Sequence, residues 1–323
     1  MGILLDDISA FEYWRHEGKE PTETSPSVPA FGSPQSKELL QPNAIEIAEL
    51  DQRGFSYLTK PIHILVPDRN MRRQSKSAVC HVCSKTLPAS IYRQVQYDIF
   101  VVRPELALVH MAQGLSLAQI VQVGFEACGT YRLCPDGGFT QAEPLTSPAS
   151  LRAFRRNNSG LCGSAALAQA LPFVLSGAAS PMESIVAMLL ELAPKYGGYG
   201  LPAPKLNYKL FTGAREQAVT SKRYFVLDLC WPEKKLAVEY DSDEFHVGSE
   251  RIAADAARRN ALLHRGYEVV TVGRLQAMSA AKFDEVAHIL AKRLGKRLRP
   301  RAEAWGLLQQ QLREEILPSQ QVP

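Results

Sequence analysis

Two short apolar runs joined by a charged link constrain the fold of this chain more than any other feature. They lie within Tyr224–His246, YFVLDLCWPEKKLAVEYDSDEFH. Successive side chains of a strand point to opposite faces, so Asp228 lies on one face of the first run, and Glu239 and Asp241 share a face of the second. The link, Trp231–Lys235, contains a proline and a charged tip, which predicts a hairpin. The hairpin would bring three carboxylates together.

Carboxylates at this density repel one another and are costly to bury unpaired. They are therefore expected to be hydrogen-bonded, partly protonated or neutralised by a cation. A hard, oxygen-ligated ion such as Mg²⁺ fits, because it binds through one or two carboxylates, keeps water, activates that water and neutralises phosphate charge. The alternative is that Asp241–Glu244 is an acidic, solvated turn and Asp228 a residue at a strand edge.

The acids belong to a longer pattern. The segment Ser180–Arg299 resembles the very-short-patch-repair-like (Vsr-like) branch of the PD-(D/E)XK nuclease superfamily, in the small bacterial proteins that carry this domain at their C-terminal end. Three stretches carry the resemblance, in the family's order: SPMESIVAMLLELAPKYGGYGLPAPKLN from Ser180, the hairpin, and DAARRNALLHRGYEVVTV from Asp255.

The resemblance implies roles for five residues. Glu183 matches the helix-borne acid, Asp228 the central metal-binding aspartate and Glu239 the acid of the third motif, while Asp241 and His246 match the acid and histidine that follow. These residues imply a DNA endonuclease that hydrolyses phosphodiester bonds with Mg²⁺ or Mn²⁺ held by Asp228 and Glu239. The lysine that closes the superfamily's signature is absent, since Asp241 stands there. His246 is the candidate for proton transfer, because imidazole titrates near neutrality.

Some of these residues have other interpretations. Ser180–Glu183 is typical of a helix start, with serine as N-cap, proline at the first helical position and Glu183 as a capping-box partner. Asp255 and Arg258 lie three apart on a predicted helix, so the alternative for Asp255 is an ion pair with Arg258. Arg258 or Arg259 is left to contact phosphate.

Basic residues concentrate towards the C-terminal end. The net charge is only +4, but 13 basic and 7 acidic residues follow from Arg251 onward. An apolar stripe of Phe283, Val286, Leu290 and Leu294 predicts an amphipathic helix. The cluster around it is expected to contact a phosphate backbone without reading sequence; it comprises Lys292, Arg293, Lys296, Arg297, Arg299 and Arg301. The alternative is a solvated helix face.

With 323 residues, 46% of them hydrophobic, the chain has material for about two domains. Residues 1–40 are expected to form a short helix at Ile8–Arg15 and a flexible linker rich in Pro, Ser, Thr and Glu. Residues 41–160 would form a smaller mixed α/β domain; its run DIFVVRPELALVHMAQGLSLAQIV faintly resembles abortive-infection antitoxins. Residues 175–300 would form the nuclease-like domain, and 301–323 a tail.

The predicted class is α/β, or α+β overall. The nuclease-like domain is expected to be an α/β sandwich with a mixed sheet, antiparallel at the hairpin and parallel where a helix from Arg251 to Arg265 crosses over to a strand at Tyr267–Val272.

Cysteine usage and hydropathy set further limits. Cys80-His81-Val82-Cys83 holds the one close cysteine pair, and without a second pair at similar spacing we expect free, buried thiols rather than a zinc site. No apolar run approaches the roughly 20 residues needed to cross a membrane. Met1–Leu5 is apolar, but Asp6 and Asp7 end it, so we expect no secretory signal and a cytoplasmic protein.

A different class of function competes with the enzyme. The missing lysine, the capping role of Glu183 and the antitoxin-like middle segment also suit a catalytically degenerate nuclease fold that acts as a DNA-binding or antitoxin-like regulator.

Overall fold

The computed structural model describes residues 2–18, 28–42, 44–72, 76–213, 223–241, 249–298 and 303–318. The chain divides into two compact units, Met1–Val174 and Leu175–Pro323. Each unit combines helices with a sheet of mixed strand direction, so the predicted mixed α/β class is confirmed. Within these described ranges, no helix is long and apolar enough to cross a membrane.

A five-stranded sheet organises the first unit. Its strands are β1 (Ile3–Leu5), β2 (Ile62–Val66), β3 (Ala78–Val82), β4 (Tyr92–Gln96) and β5 (Ile99–Val102). Their order across the sheet is β3-β2-β1-β5-β4. The pairs β2–β3 and β1–β5 are parallel, whereas β1–β2 and β4–β5 are antiparallel. All three residues of β1 are buried, as expected for the central strand of a covered sheet.

The helices of this unit are α1 (Asp7–Glu17), α2 (Pro34–Leu39), α3 (Ala44–Glu49), α4 (Pro104–Met111), α5 (Leu117–Cys128), α6 (Pro148–Asn157) and α7 (Ser164–Ala170). A small antiparallel hairpin, β6 (Tyr131–Leu133) and β7 (Phe139–Gln141), follows α5. The short helix expected at Ile8–Arg15 is confirmed as α1, which packs against α4. The indole of Trp14 donates a 2.7 Å hydrogen bond to the carbonyl of Val102.

The first 40 residues differ from the separate segment expected from the sequence. β1 lies between β2 and β5, and its backbone completes their hydrogen bonding, so this part of the chain belongs to the first unit. Part of the expected linker, residues 28–37, is described and includes the start of α2. The remainder, residues 19–27, lies outside the described residues.

The second unit holds a four-stranded sheet. Its strands are β8 (Lys205–Phe211), β9 (Tyr224–Trp231), β10 (Leu236–Asp241) and β11 (Glu268–Gly273), in the order β11-β10-β9-β8. β9 pairs antiparallel with both β8 and β10, and β10 pairs parallel with β11. The predicted hairpin and the predicted parallel far side are therefore confirmed.

The helices of the second unit are α8 (Pro181–Glu191), α9 (Ser249–His264), α10 (Arg274–Met278), α11 (Ala280–Leu294) and α12 (Glu303–Ile316). α9 is the expected crossover between β10 and β11. Its Leu262 is buried in one apolar cluster with Phe225 and Leu227 of β9 and with Tyr267. This packing fixes α9 against the sheet beside the acidic positions.

The segment expected to be a tail from residue 301 is, over residues 303–316, the helix α12. Leu312 and Ile316 are buried. The Trp305 indole donates to the carbonyl of Gly198 at 3.2 Å, and the Gln309 amide donates to the Tyr199 hydroxyl at 2.9 Å. Apolar burial and these hydrogen bonds make α12 part of the second unit.

The backbone of α12 lies so close to the turn Gly197–Gly200 that position 197 requires glycine. A Cβ at Gly197, where φ is +86°, would lie 2.3 Å from the Leu308 carbonyl oxygen, whereas a Cβ at Gly295, where φ is +69°, would meet nothing within 4 Å. Gly295→Ala should cost only the roughly 1–2 kcal/mol of a left-handed backbone. Gly197→Ala should cost clearly more, because α12 must also move. Urea denaturation of both variants checks this; equal losses would contradict the close approach.

Candidate functional site

The acids predicted to converge lie where β9 and β10 stop pairing. The antiparallel ladder ends at Val238 opposite Leu229, and the next position on each strand is Glu239 and Asp228. On the other side of β9, Leu206 and Tyr208 of β8 pair with Leu229 and Leu227, but Asn207 between them forms no regular pair. The register places Asn207 opposite Asp228. A row of polar positions thus crosses three strands where the regular sheet is interrupted.

Asp228 is the centre of this row. One of its carboxylate oxygens, Oδ2, accepts a 2.9 Å hydrogen bond from the Tyr240 backbone N–H. Burial raises the pKa of Asp228 to about 7, and the negative charges of Glu183 and Glu239 add to the rise, against the Tyr240 hydrogen bond and the charge of Arg258. Burial and the two neighbouring acids therefore disfavour the ionised form of Asp228, and a bound cation would favour it.

Glu183 is held at the start of α8, and its role in metal binding stays a prediction. Ser180 caps α8 by accepting the Glu183 backbone N–H at 3.2 Å, so the predicted serine N-cap is confirmed. The Glu183 carboxylate accepts from the Ser180 hydroxyl and from the Ala179 backbone N–H, each at 2.9 Å. Its charge nevertheless acts on Asp228. The cap holds Glu183 in place beside the central acid.

Asn207 is a site residue that the sequence analysis missed. Its side-chain amide donates to Glu183 Oε2 at 2.6 Å and to the Gly177 carbonyl at 2.9 Å. Its backbone has a φ of +46°, a conformation that asparagine tolerates better than most residues. An asparagine inside the run KLNYK is the only signal the sequence offers, and it does not indicate which acid the amide would bind.

Glu239, predicted to hold the metal, is bound by an arginine. Arg258 of α9 reaches both carboxylate oxygens, with Nη1 to Oε2 at 2.7 Å and Nη2 to Oε1. Nη2 also donates to the Val226 carbonyl at 2.7 Å. The Arg258 side chain expected to contact phosphate is therefore engaged within the protein. The expected Asp255 partner lies in a part of α9 whose side chains are outside the described residues.

The donor set fits a hard cation only in part. Asp228, with Glu183 beside it, offers the carboxylate oxygens that a hard cation takes as ligands. Glu239 adds its oxygens only if Arg258 releases it. Consistent with this, the acids of the second unit do not bring three ligand atoms within 4.8 Å of one another, among the residues searched.

The two remaining predicted site residues are Asp241 and His246. Asp241 is exposed at the end of β10, opposite Gly273 of β11. His246 lies outside the described residues, so its role in proton transfer stays a prediction.

The predicted phosphate-binding residues occupy two elements. Arg259 is exposed on α9. The apolar stripe of α11 is buried as predicted, and Lys292 and Arg293 lie exposed in its last turn. The helix ends at Gly295, so the exposed Lys296 and Arg297 follow it instead of extending its face; Arg299 and Arg301 lie outside the described residues. Arg293 pairs with Glu268 at 2.8 Å.

Comparison with known proteins identifies two relatives, and neither has a described activity. Two uncharacterized proteins of Mycobacterium tuberculosis, from strains CDC 1551 and H37Rv, are each 30% identical to this chain over 134 residues, which is 39% of this chain and 45% of the relative. The chain thus spans less than half the length of these relatives. No protein-family model matches the chain, and no solved structure matches it.

The raised pKa of Asp228 has a measurable consequence. An acid whose folded-state pKa is about 7, against about 3.9 when unfolded, stabilises the fold fully below the lower value and loses that contribution as pH rises through 7. Asp228→Asn keeps an acceptor for Tyr240 and removes the charge. It should raise stability at pH 8 without metal, by no more than about 4 kcal/mol, and change little at pH 4.

Denaturation curves across this pH range check the prediction. The exposed hairpin acid Glu233 supplies the control, since Glu233→Gln should leave the pH dependence unchanged. If Asp228→Asn has the same stability as wild type at every pH, the pKa of Asp228 is not raised in the folded protein.

Proposed function

We propose that the second unit is a metal-dependent endonuclease that hydrolyses phosphodiester bonds in DNA. The observation that carries the proposal is Asp228, held between Glu183 and Glu239 with its pKa raised to about 7 at the break between β9 and β10. Acid clusters with perturbed pKa values are more frequent at functional sites than elsewhere. The resemblance of Ser180–Arg299 to Vsr-like nucleases supports the same assignment.

Asp228 and Glu183 are the residues that would hold Mg²⁺ or Mn²⁺ first. When bound, such an ion activates water and neutralises charge on phosphate. The chain's own residues supply the surroundings: Tyr240 orients the Asp228 carboxylate, and Ser180 and Asn207 orient that of Glu183. His246 remains the candidate for moving the water proton.

In this proposal, Arg258 leaves Glu239 and binds the phosphate of the substrate. A guanidinium fork matches carboxylate and phosphate equally well, so a phosphodiester at Asp228 competes with Glu239 for Arg258. Release of Glu239 then adds a third carboxylate next to Asp228. The exposed Lys292, Lys296 and Arg297 favour DNA as the substrate, acting in the cytoplasm that the sequence composition suits.

A second function, the non-catalytic DNA-binding or antitoxin-like regulator, is favoured by one specific observation. Arg258 already neutralises Glu239 with a bidentate ion pair, and both side chains are largely shielded from solvent, with 23% and 20% of their surface exposed. In a degenerate site this pair would be a permanent structural bond. The two functions differ in whether metal binding depends on Asp228.

Cleavage of supercoiled plasmid in Mg²⁺ or Mn²⁺ tests the enzyme. Asp228→Asn should lower the rate roughly a thousandfold, since the metal contributes several kcal/mol to transition-state stabilisation. Glu233→Gln is the matched control and should cleave at the wild-type rate. If Asp228→Asn cleaves as fast as wild type, the proposed nuclease centre is wrong.

Isothermal titration with Mn²⁺ separates the two functions. An enzyme should bind the ion in a manner that Asp228→Asn abolishes, and Arg258→Gln, which frees Glu239, should tighten binding. A regulator should show no binding that depends on Asp228 or Glu239. Absence of binding in both the wild type and Arg258→Gln would therefore favour the regulator.

A further inference from the structure

A second group of ligand-type side chains lies in the first unit, separate from the acids discussed above. Asp7 is the first residue of α1, His63 lies on β2 and His81 on β3. One ligand atom from each lies within 4.8 Å of the other two. In the part of the chain that was searched, no other three acidic, histidine or cysteine side chains meet this condition.

The sheet explains why these three residues meet. β2 and β3 are parallel, with Leu65 opposite His81, so His63 and His81 project diagonally from the same face. β1 is the other neighbour of β2, and Asp7 follows it within two residues. The order and register of the three strands therefore bring together residues that are far apart in the sequence.

The two histidines face each other through ring nitrogens. His81 Nε2 lies 2.9 Å from His63 Nδ1, and the Asp7 carboxylate lies 3.5 Å from His63 Nδ1 and 3.9 Å from His81 Nε2. Two ring nitrogens at 2.9 Å need a proton between them, since two lone pairs would repel. A metal ion satisfies the same geometry by accepting both lone pairs.

Asp7 is held in position by its backbone. Its φ is +51°, a left-handed conformation that an aspartate adopts at some cost. The Ile8 backbone N–H donates to Asp7 Oδ1 at 2.7 Å, which fixes the direction of the carboxylate. Strained backbone that aims a carboxylate at two imidazoles indicates a preorganised site.

The charges around the group favour a cation. The neighbouring Asp6 is fully buried and binds His110 Nδ1 at 2.7 Å. Asp6 therefore has its own partner in His110. The Asp7 carboxylate lies instead against the two imidazoles, 3.5 Å from His63 Nδ1 and 3.9 Å from His81 Nε2, so an ion between the three side chains would lie next to its negative charge.

We propose that Asp7, His63 and His81 bind a divalent first-row transition-metal ion such as Zn²⁺. Two imidazoles and one carboxylate suit such an ion better than Mg²⁺, which takes oxygen ligands. The three side chains are 15%, 22% and 27% exposed, so the ion keeps a coordination position open to water or a ligand. Sites with three protein ligands and one open position are typical of catalytic zinc.

The test uses the full chain after removal of metal by a chelator. Wild type should bind one equivalent of Zn²⁺ by isothermal titration, and Co²⁺ in its place should develop the visible absorption of a low-symmetry site with nitrogen ligands. His63→Gln and His81→Gln should each weaken binding by at least roughly 10–100-fold. His288→Gln, at an exposed histidine of the second unit, is the matched control and should bind as wild type does.

Two further variants keep the test decisive. Asp7→Asn retains an oxygen for the Ile8 N–H and removes the charge, so it should lose affinity while keeping the fold, as judged by circular dichroism. Asp228→Asn should bind Zn²⁺ normally, which separates this site from the proposed nuclease centre. Absence of Zn²⁺ and Co²⁺ binding by wild type would overturn the proposal, as would wild-type affinity in His63→Gln, His81→Gln and Asp7→Asn.

Discussion

Neutralising the negative charge around Asp228 is the constraint on which the second unit's site depends. Glu183 of α8 and Glu239 of β10 both raise the pKa of Asp228 on β9, and Arg258 of α9 supplies positive charge next to these acids. That single side chain also binds the Val226 carbonyl, so it joins α9 to two strands. Asn207 and the α8 cap hold Glu183. Every element around the site is thus positioned by a contact with one of the acids or with Arg258.

The parts of this site that the sequence predicted are those set by short-range patterns. Alternation along two strands placed Asp228 and Glu239 next to each other, and the serine-proline start of α8 placed Glu183 at its cap. The contacts that decide the chemistry, Arg258 with Glu239 and Asn207 with Glu183, join residues on different elements. Periodicity carries no information on which side chains of two packed elements meet, so those contacts could not be predicted.

In the first unit, contacts between distant residues were even harder to predict from the sequence. Cys80 and Cys83 were expected to be buried, and both are. The informative residue of that stretch is His81 between them, whose partners lie on β2 and at the start of α1. β1 was missed because three residues are too few for a periodic pattern. The fold class was predictable from composition and alternation, whereas the order of strands in this sheet was not.

The central place of β1 has a consequence for how the first unit forms during synthesis. Ile3, Leu4 and Leu5 pair with Ile99, Phe100 and Val101, so the sheet cannot close until about one hundred residues have left the ribosome. Pairing between such distant segments requires closing a long loop first, which slows folding. Until then the apolar residues and backbone amides of β1 are without this partner strand.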